Sequence, residues 1–149
     1  MKRILHLTLV CLMICLAACS NDEPTPPSVN SIDNAAKHLN GLFSCKSIIA
    51  GNDAIDSFNF TPYSEPKTVG TSKVYGSVRY ITSAPMEGLG SGSYLYTFTF
   101  LYEKLYLNML NTSGTIVTSY IISDVNSNSF HLRPVDIVDE DAYKVFIRE

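Results

Sequence analysis

From Leu42 onward, apolar and polar residues alternate with a period of two, and this pattern limits the folds open to the chain. The stretch Ser93–Leu101 shows the alternation best. Four aromatic residues fall on one face of an extended strand here: Tyr94, Tyr96, Phe98 and Phe100. Leucines and threonines fall on the other face. One aromatic face and one mixed face fit a strand that curves around a core.

Breaks with turn chemistry divide this part of the chain into eight candidate strands. The predicted strands are Leu42–Ala50, Ser57–Thr61, Lys73–Ser83, Ser93–Leu101, Lys104–Asn111, Thr115–Ser123, Ser127–Pro134 and Ala142–Arg148. One of the predicted breaks is Pro62–Pro66. No helix-length segment separates the later strands, so the pattern favours an antiparallel meander over a parallel sheet. Closing the meander into a barrel would remove its exposed edges.

A short helix is predicted before the first strand. Ser31 can cap a helix that runs from Ile32 to about Asn40, and Gly41 is placed to end it. The sequence therefore predicts an all-β domain over residues 31–149: a short helix, then an up-and-down barrel of about eight strands.

The amino terminus has the layout of an export signal. Lys2 and Arg3 precede an apolar run from Ile4 to Leu16, and two alanines and Cys19 follow. The run is about 13 residues long, whereas a membrane-spanning helix needs roughly 20, so its length disfavours the alternative of an uncleaved membrane helix. We predict that residues 1–18 are a signal peptide.

The segment Leu16-Ala17-Ala18-Cys19 resembles the lipobox of bacterial lipoproteins. The resemblance implies cleavage before Cys19 and a diacylglyceryl group on its sulfur, so that the chain is held at a membrane of the cell envelope. We expect the outer membrane, on its periplasmic or its cell-surface face.

Residues 19–30 are predicted to be the lipidated cysteine and an extended linker. Ser20–Ser28 contains three prolines and no large apolar residue, so it should stay extended with a reach of roughly 28 Å. Asp22 and Glu23 look like the acidic signal that sends some lipoproteins to the cell surface. A solvated spacer is the alternative interpretation.

Charge and cysteine content exclude several classes of function. Loss of Lys2 and Arg3 with the signal leaves 9 basic against 14 acidic residues, a net charge of −5. This balance argues against nucleic-acid binding and against electrostatic docking on anionic lipid. Cys45 is the only thiol beyond Cys19, so an intramolecular disulfide is not expected. Cys45 is either a buried, inert thiol or an exposed, reactive one.

The order of the elements adds a second resemblance. A short helix, then Leu39-Asn40-Gly41-Leu42-Phe43 opening the first strand, then a long meander, is similar to lipocalin-like (calycin) domains. In that family a Gly-x-Trp at the first strand packs across the barrel floor. This chain has no tryptophan, and Phe43 stands in its place. The resemblance implies a barrel and a binding function.

We expect neither catalysis nor a metal or other cofactor. The Gly88–Gly92 loop has the spacing of neither a nucleophile elbow nor a dinucleotide fingerprint. His38 and His131 have no cysteine or acidic residue at ligand spacing. The acidic run at Asp136 and Asp139–Asp141 lacks the glycine and terminal glutamate of a calcium loop, so a solvated turn is expected there.

Two functions remain open. In the first, the barrel binds a small apolar or amphipathic ligand, and Tyr94, Tyr96, Phe98 and Phe100 line its pocket. In the second, these rings form a filled core, and the protein is an envelope accessory that engages a partner protein. Tyr and Phe at period two are most often core residues, whereas a barrel of eight strands can hold one small ligand.

Overall fold

The computed structural model describes residues 30–49, 52–83, 89–137 and 143–149, with the backbone alone described at 47–49 and 52–54. The predicted signal peptide, Cys19 and linker residues 20–29 lie outside this part of the chain, as do Gly88 and Asp139–Asp141. The elements are α1 (Ile32–His38), β1 (Gly41–Ile49), β2 (Asn52–Val69), β3 (Ser72–Thr82), β4 (Gly92–Leu101), β5 (Lys104–Leu110), β6 (Ile116–Ser123), β7 (Ser129–Pro134) and β8 (Lys144–Arg148).

The strands form one closed antiparallel barrel. Each strand pairs with the next along the chain, and β8 pairs with β1 through Phe43↔Arg148 and Ser44↔Ile147. The described residues therefore confirm the predicted all-β architecture: an eight-stranded up-and-down meander preceded by one short helix. This architecture is consistent with a lipocalin-like fold.

The predicted break at Pro62–Pro66 is wrong, because β2 continues through it to Val69. Pairing between β1 and β2 ends at Gly41↔Phe60, so beyond Phe60 the strand has a partner only on the β3 side. A proline costs no ladder hydrogen bond on an unpaired edge. The register shifts between Pro62 and Lys67, which accommodates the extra residues as a bulge.

The far end of the β2–β3 hairpin folds against the outside of the barrel. The Thr97 hydroxyl, on the face of β4 away from the lumen, donates to the Lys73 carbonyl at 2.5 Å, and the Ser72 hydroxyl donates to the Gly114 carbonyl at 3.2 Å. Gly76 lies at the bend, where a Cβ atom would be 2.4 Å from the Thr61 carbonyl oxygen. Thr97 is buried although it faces outward, because this hairpin covers it.

Helix α1 closes one end of the barrel, which we call the floor. The Ser31 hydroxyl caps the helix by accepting from the Asn34 N–H at 3.1 Å, as predicted. The helix ends at His38 rather than at Asn40, and Leu39 is its carboxy-terminal cap. Gly41 does not end the helix but begins β1, with a φ of +85° that favours glycine.

Arg148 fastens the floor. Its guanidinium lies 4.5 Å from the centroid of the Phe43 ring and donates to the carbonyls of His38 (2.9 Å), Asn40 and Ser127. One side chain thus joins the end of the helix, the start of β1 and the β6–β7 turn. Phe43 packs in the barrel floor beneath this cation.

Candidate functional site in the barrel lumen

The structure places the four predicted ligand-binding residues at different depths. Tyr96 and Phe98 are buried in the lumen, and Tyr94 is half-buried against the same core. The Tyr94 hydroxyl donates to the Gly90 carbonyl at 2.8 Å, near the end opposite the floor, which we call the mouth. Phe100 lies beyond the floor rim with 50% of its surface exposed. Three of the four therefore contribute to one interior, and the fourth does not reach it.

Aromatic rings fill the middle of the lumen. Phe130 lies 5.1 Å from Phe43 and stacks on Phe146 at 5.0 Å, and Phe58 stacks on Tyr80 at 4.6 Å, centroid to centroid. Further ring contacts join strands on different sides of the barrel: Phe58–Phe130, Phe58–Phe146, Phe60–Phe130 and Phe60–Tyr96. These contacts join strands two or three positions apart around the barrel, so the rings in this part of the lumen pack on one another.

Two open depressions of the described surface lie outside the lumen. One, of about 400 Å³, is lined by residues of β3 and the start of β4, including Arg79, Ile81 and Ser93. Another, of about 510 Å³, lies between the β2–β3 and β5–β6 turns around Gly70 and Gly114. Neither is lined by any of the four predicted ligand-binding residues.

A buried polar cluster lies at the mouth end of the lumen. Asp56 is 1% exposed, and its Oδ1 accepts from the hydroxyls of Tyr80 (3.2 Å) and Thr82 (2.5 Å). Its Oδ2 accepts from the Lys144 ammonium at 2.8 Å, and the Lys144 side chain is 31% exposed. Both carboxylate oxygens are thus satisfied, and the lysine side chain is partly exposed to solvent. Such a cluster can bind the polar head of a small molecule at the mouth.

Two buried tyrosine hydroxyls also belong to the lumen, and that of Tyr120 is the one near Asp56 and Tyr80. Among the described residues, those of Tyr96 and Tyr120 are buried with no hydrogen-bond partner. Burial raises the pKa of both phenols, and the neighbouring Tyr63 and Tyr80 add to the rise at Tyr96 and Tyr120 respectively. The neighbouring Thr118 hydroxyl acts against the rise in the pKa of Tyr120, although its contact with the phenol does not meet the geometry of a hydrogen bond. Buried hydroxyls usually have a partner, so each marks a position where a water or ligand oxygen would fit.

Sequence analysis missed Asp56 and Lys144, although the sequence contains the signal. Asp56 is in phase with Phe58 and Phe60 on the lumen face of β2, and Lys144 is in phase with Phe146 on β8. A single charge on an otherwise apolar face is costly to bury without a partner. The two opposite charges, each alone on the lumen face of its strand, could therefore have been predicted to form an ion pair.

Cys45 is buried close to this cluster. Burial raises the pKa of its thiol, Lys144 acts against the rise and Asp56 adds to it. A buried thiol with a raised pKa is a poor nucleophile, which favours the inert of the two predicted fates.

The described histidines lie away from the lumen cluster. His131 pairs with Asp124 at 3.1 Å on the surface, and His38 lies in the last turn of α1. Among the residues that the structure describes, no three His, Cys, Asp or Glu side chains are grouped to hold a metal ion. Within the same residues, none of the helices is both long and apolar enough to cross a bilayer.

Comparison with known proteins gives no family for this chain. No protein-family model matches it, and neither a curated protein nor a solved structure does.

Proposed function

We propose that this protein is a lipid-anchored, non-enzymatic component of a bacterial cell envelope. The Leu16-Ala17-Ala18-Cys19 segment supports the anchor, because a short apolar run before such a cysteine is typical of lipoprotein precursors. The linker then allows the barrel to stand off the bilayer by up to about 28 Å. The proposed location is the outer membrane.

Metabolic labelling tests the anchor. Labelled palmitate should enter the wild-type protein and not the Cys19→Ala variant, and globomycin should cause the larger precursor to accumulate. A precursor that keeps its size with globomycin, or a wild-type product without label, would contradict the anchor.

We further propose that the barrel works through its outer surface, by binding a partner protein, and not by carrying a ligand in its lumen. The observation that carries this proposal is the set of ring contacts around Phe130, which join β7 to β1 and β2 through the inside of the barrel. Rings in mutual contact at 5–6 Å leave no room for a ligand-sized molecule between them.

Native purification tests the role of the lumen. The wild-type protein, extracted with organic solvent after purification, should release no small molecule in stoichiometric amount beyond its own acyl chains. Added fatty acids should leave its unfolding temperature unchanged. A bound molecule at a one-to-one ratio, or a clear rise in the unfolding temperature, would overturn the filled-lumen proposal while leaving the anchor intact.

One observation favours a second function, the binding of a small amphipathic ligand at the mouth. The Tyr120 hydroxyl is buried without a partner among the described residues, close to Asp56 and Lys144. An anionic head group could bind the Lys144 ammonium and the Tyr120 hydroxyl together. In that case short-chain fatty acids should protect the wild type against thermal unfolding and should protect the Lys144→Met and Tyr120→Phe variants much less.

A further inference from the structure

Three consecutive large apolar side chains are exposed at the turn between β4 and β5. Phe100 and Leu101 are each about half exposed, and Tyr102 is 84% exposed. Single exposed apolar residues are normal on a protein surface. A run of three is different, because it concentrates exposed apolar side chains at one hairpin tip. We call Phe100, Leu101 and Tyr102 the floor tip.

The turn does not itself require these residues. Tyr102 and Glu103 both have positive φ values, 49° and 60°, as in a type I′ turn of two residues. Asn and Gly adopt this conformation readily, whereas a bulky side chain there is uncommon. A tyrosine at the apex is therefore not explained by turn formation, and the turn directs its ring away from the barrel.

The floor tip lies at the end of the barrel from which the chain leads back to Cys19. Helix α1 closes this end, and Asn30, just before it, accepts through Oδ1 from the Asp124 N–H at 3.0 Å in the β6–β7 turn. Strand β4 ends at the same rim and contacts α1. A lipid on Cys19 would therefore tether the barrel by its floor, at most about 28 Å from the bilayer.

The chemistry of the tip suits a lipid surface. The mature chain has a net charge of −5, which disfavours electrostatic attraction to anionic lipid and favours an apolar second contact. Tyr is enriched at membrane interfaces, where its ring meets acyl chains and its hydroxyl meets head groups, and Phe and Leu suit the acyl side of the same boundary. A protein partner is the other possible occupant, but the tether places a bilayer within reach of this tip in every copy.

We propose that the floor tip is a second membrane contact, which inserts into the interfacial layer of the bilayer that holds the lipid on Cys19. This inference rests on the proposed lipid anchor. It orients the barrel, with the floor against the membrane and the Asp56–Lys144 cluster at the mouth pointing away from it.

The absence of tryptophan from the chain allows a direct test. The Tyr102→Trp variant of the lipidated protein, reconstituted into phosphatidylethanolamine–phosphatidylglycerol vesicles, contains one indole, at the floor tip. The control is Ile116→Trp, because Ile116 is also an exposed apolar residue, at 51% against 84% for Tyr102, but lies at the mouth-end start of β6. Circular dichroism checks that both variants are folded, and co-flotation with the vesicles checks the anchor.

We expect brominated lipids to quench the Tyr102→Trp indole several-fold more than the control, and its emission to shift to shorter wavelength on reconstitution. Aqueous acrylamide should show the opposite order. Equal quenching of the two variants in vesicles that carry the lipidated protein would overturn the floor-tip inference alone. Emission that shifts with protein concentration and not with lipid would overturn it in favour of a second copy of the chain. Failure of both proteins to float with vesicles would overturn the anchor, and the inference with it.

Discussion

The packing of the lumen predicts the effect of removing one ring. Phe130 is fully buried, and its ring contacts those of Phe43, Phe58, Phe60 and Phe146. Truncation of a buried Phe to Ala costs about 3–5 kcal/mol. An aromatic pair contributes about 0.5–1.5 kcal/mol beyond the area that it buries, so the loss of several pairs places the cost in the upper part of that range. Because four partners lose contact together, we expect Phe130→Ala to lower the free energy of unfolding by about 4–5 kcal/mol.

The control for this prediction is Phe100→Ala, at the half-exposed end of β4. This variant should change the free energy of unfolding by no more than about 0.5 kcal/mol. Urea denaturation of the full-length chain in detergent, monitored by circular dichroism, measures the free energy of unfolding of both variants. The two values can be compared if the dependence of this free energy on urea concentration is unchanged. A cost below about 1 kcal/mol for Phe130→Ala would refute the description of the lumen as filled.

Ligand rescue extends the same experiment. The cavity left in Phe130→Ala would be lined by apolar rings, and such cavities stay dry and bind small apolar molecules such as benzene. Benzene at ten times its dissociation constant should restore about 1.4 kcal/mol to the variant and nothing to the wild type. Equal stabilisation of the wild type would show that the lumen already has room for a ligand.

Three further predictions concern the polar cluster, the floor-tip turn and the thiol. Asp56→Ala should cost about 3 kcal/mol in urea denaturation because Lys144 and two hydroxyls lose their acceptor. Adding Lys144→Met should recover part of this loss, and a double variant that is less stable still would contradict the pairing. Tyr102→Asn combined with Glu103→Gly should raise the free energy of unfolding by about 1 kcal/mol, since both residues have positive φ, and an unchanged value would show that the turn is not strained. Burial raises the pKa of Cys45, so above pH 9.0 the unfolded chain loses its thiol proton before the folded chain does. The free energy of unfolding should therefore fall with rising pH more in the wild type than in Cys45→Ala, and parallel pH profiles would refute this.

Much of the fold was predictable because it depends on local pattern. Period-two alternation identified the strands, and turn residues separated most of them within one or two positions of their observed ends. The extension of β2 across Pro62–Pro66 was not predictable in this way. A proline breaks a strand where the neighbouring strand would need a backbone N–H donor at that position. Whether such a neighbour is present here becomes clear only from the structure, in which β1 stops pairing at Phe60.

The candidate site was predictable only in part. The alternation predicted the inward-facing residues of β4 correctly as far as Phe98. Phe100 has the same phase, but it lies beyond the rim of the barrel and is exposed. The alternation gives the face of each residue but not where the barrel ends. The proposed ligand contacts of Tyr94, Tyr96, Phe98 and Phe100 remain a prediction.

The sequence alone determined which residues alternate, where the chain turns and how the helix begins, because each of these depends on neighbours within a few positions. Tertiary structure decided what fills the lumen and what closes it. The Asp56–Lys144 pair joins residues 88 positions apart, and Arg148 reaches back 110 positions to the His38 carbonyl. These contacts follow from the closure of β8 on β1, since only closure brings the two ends of the meander within hydrogen-bonding distance.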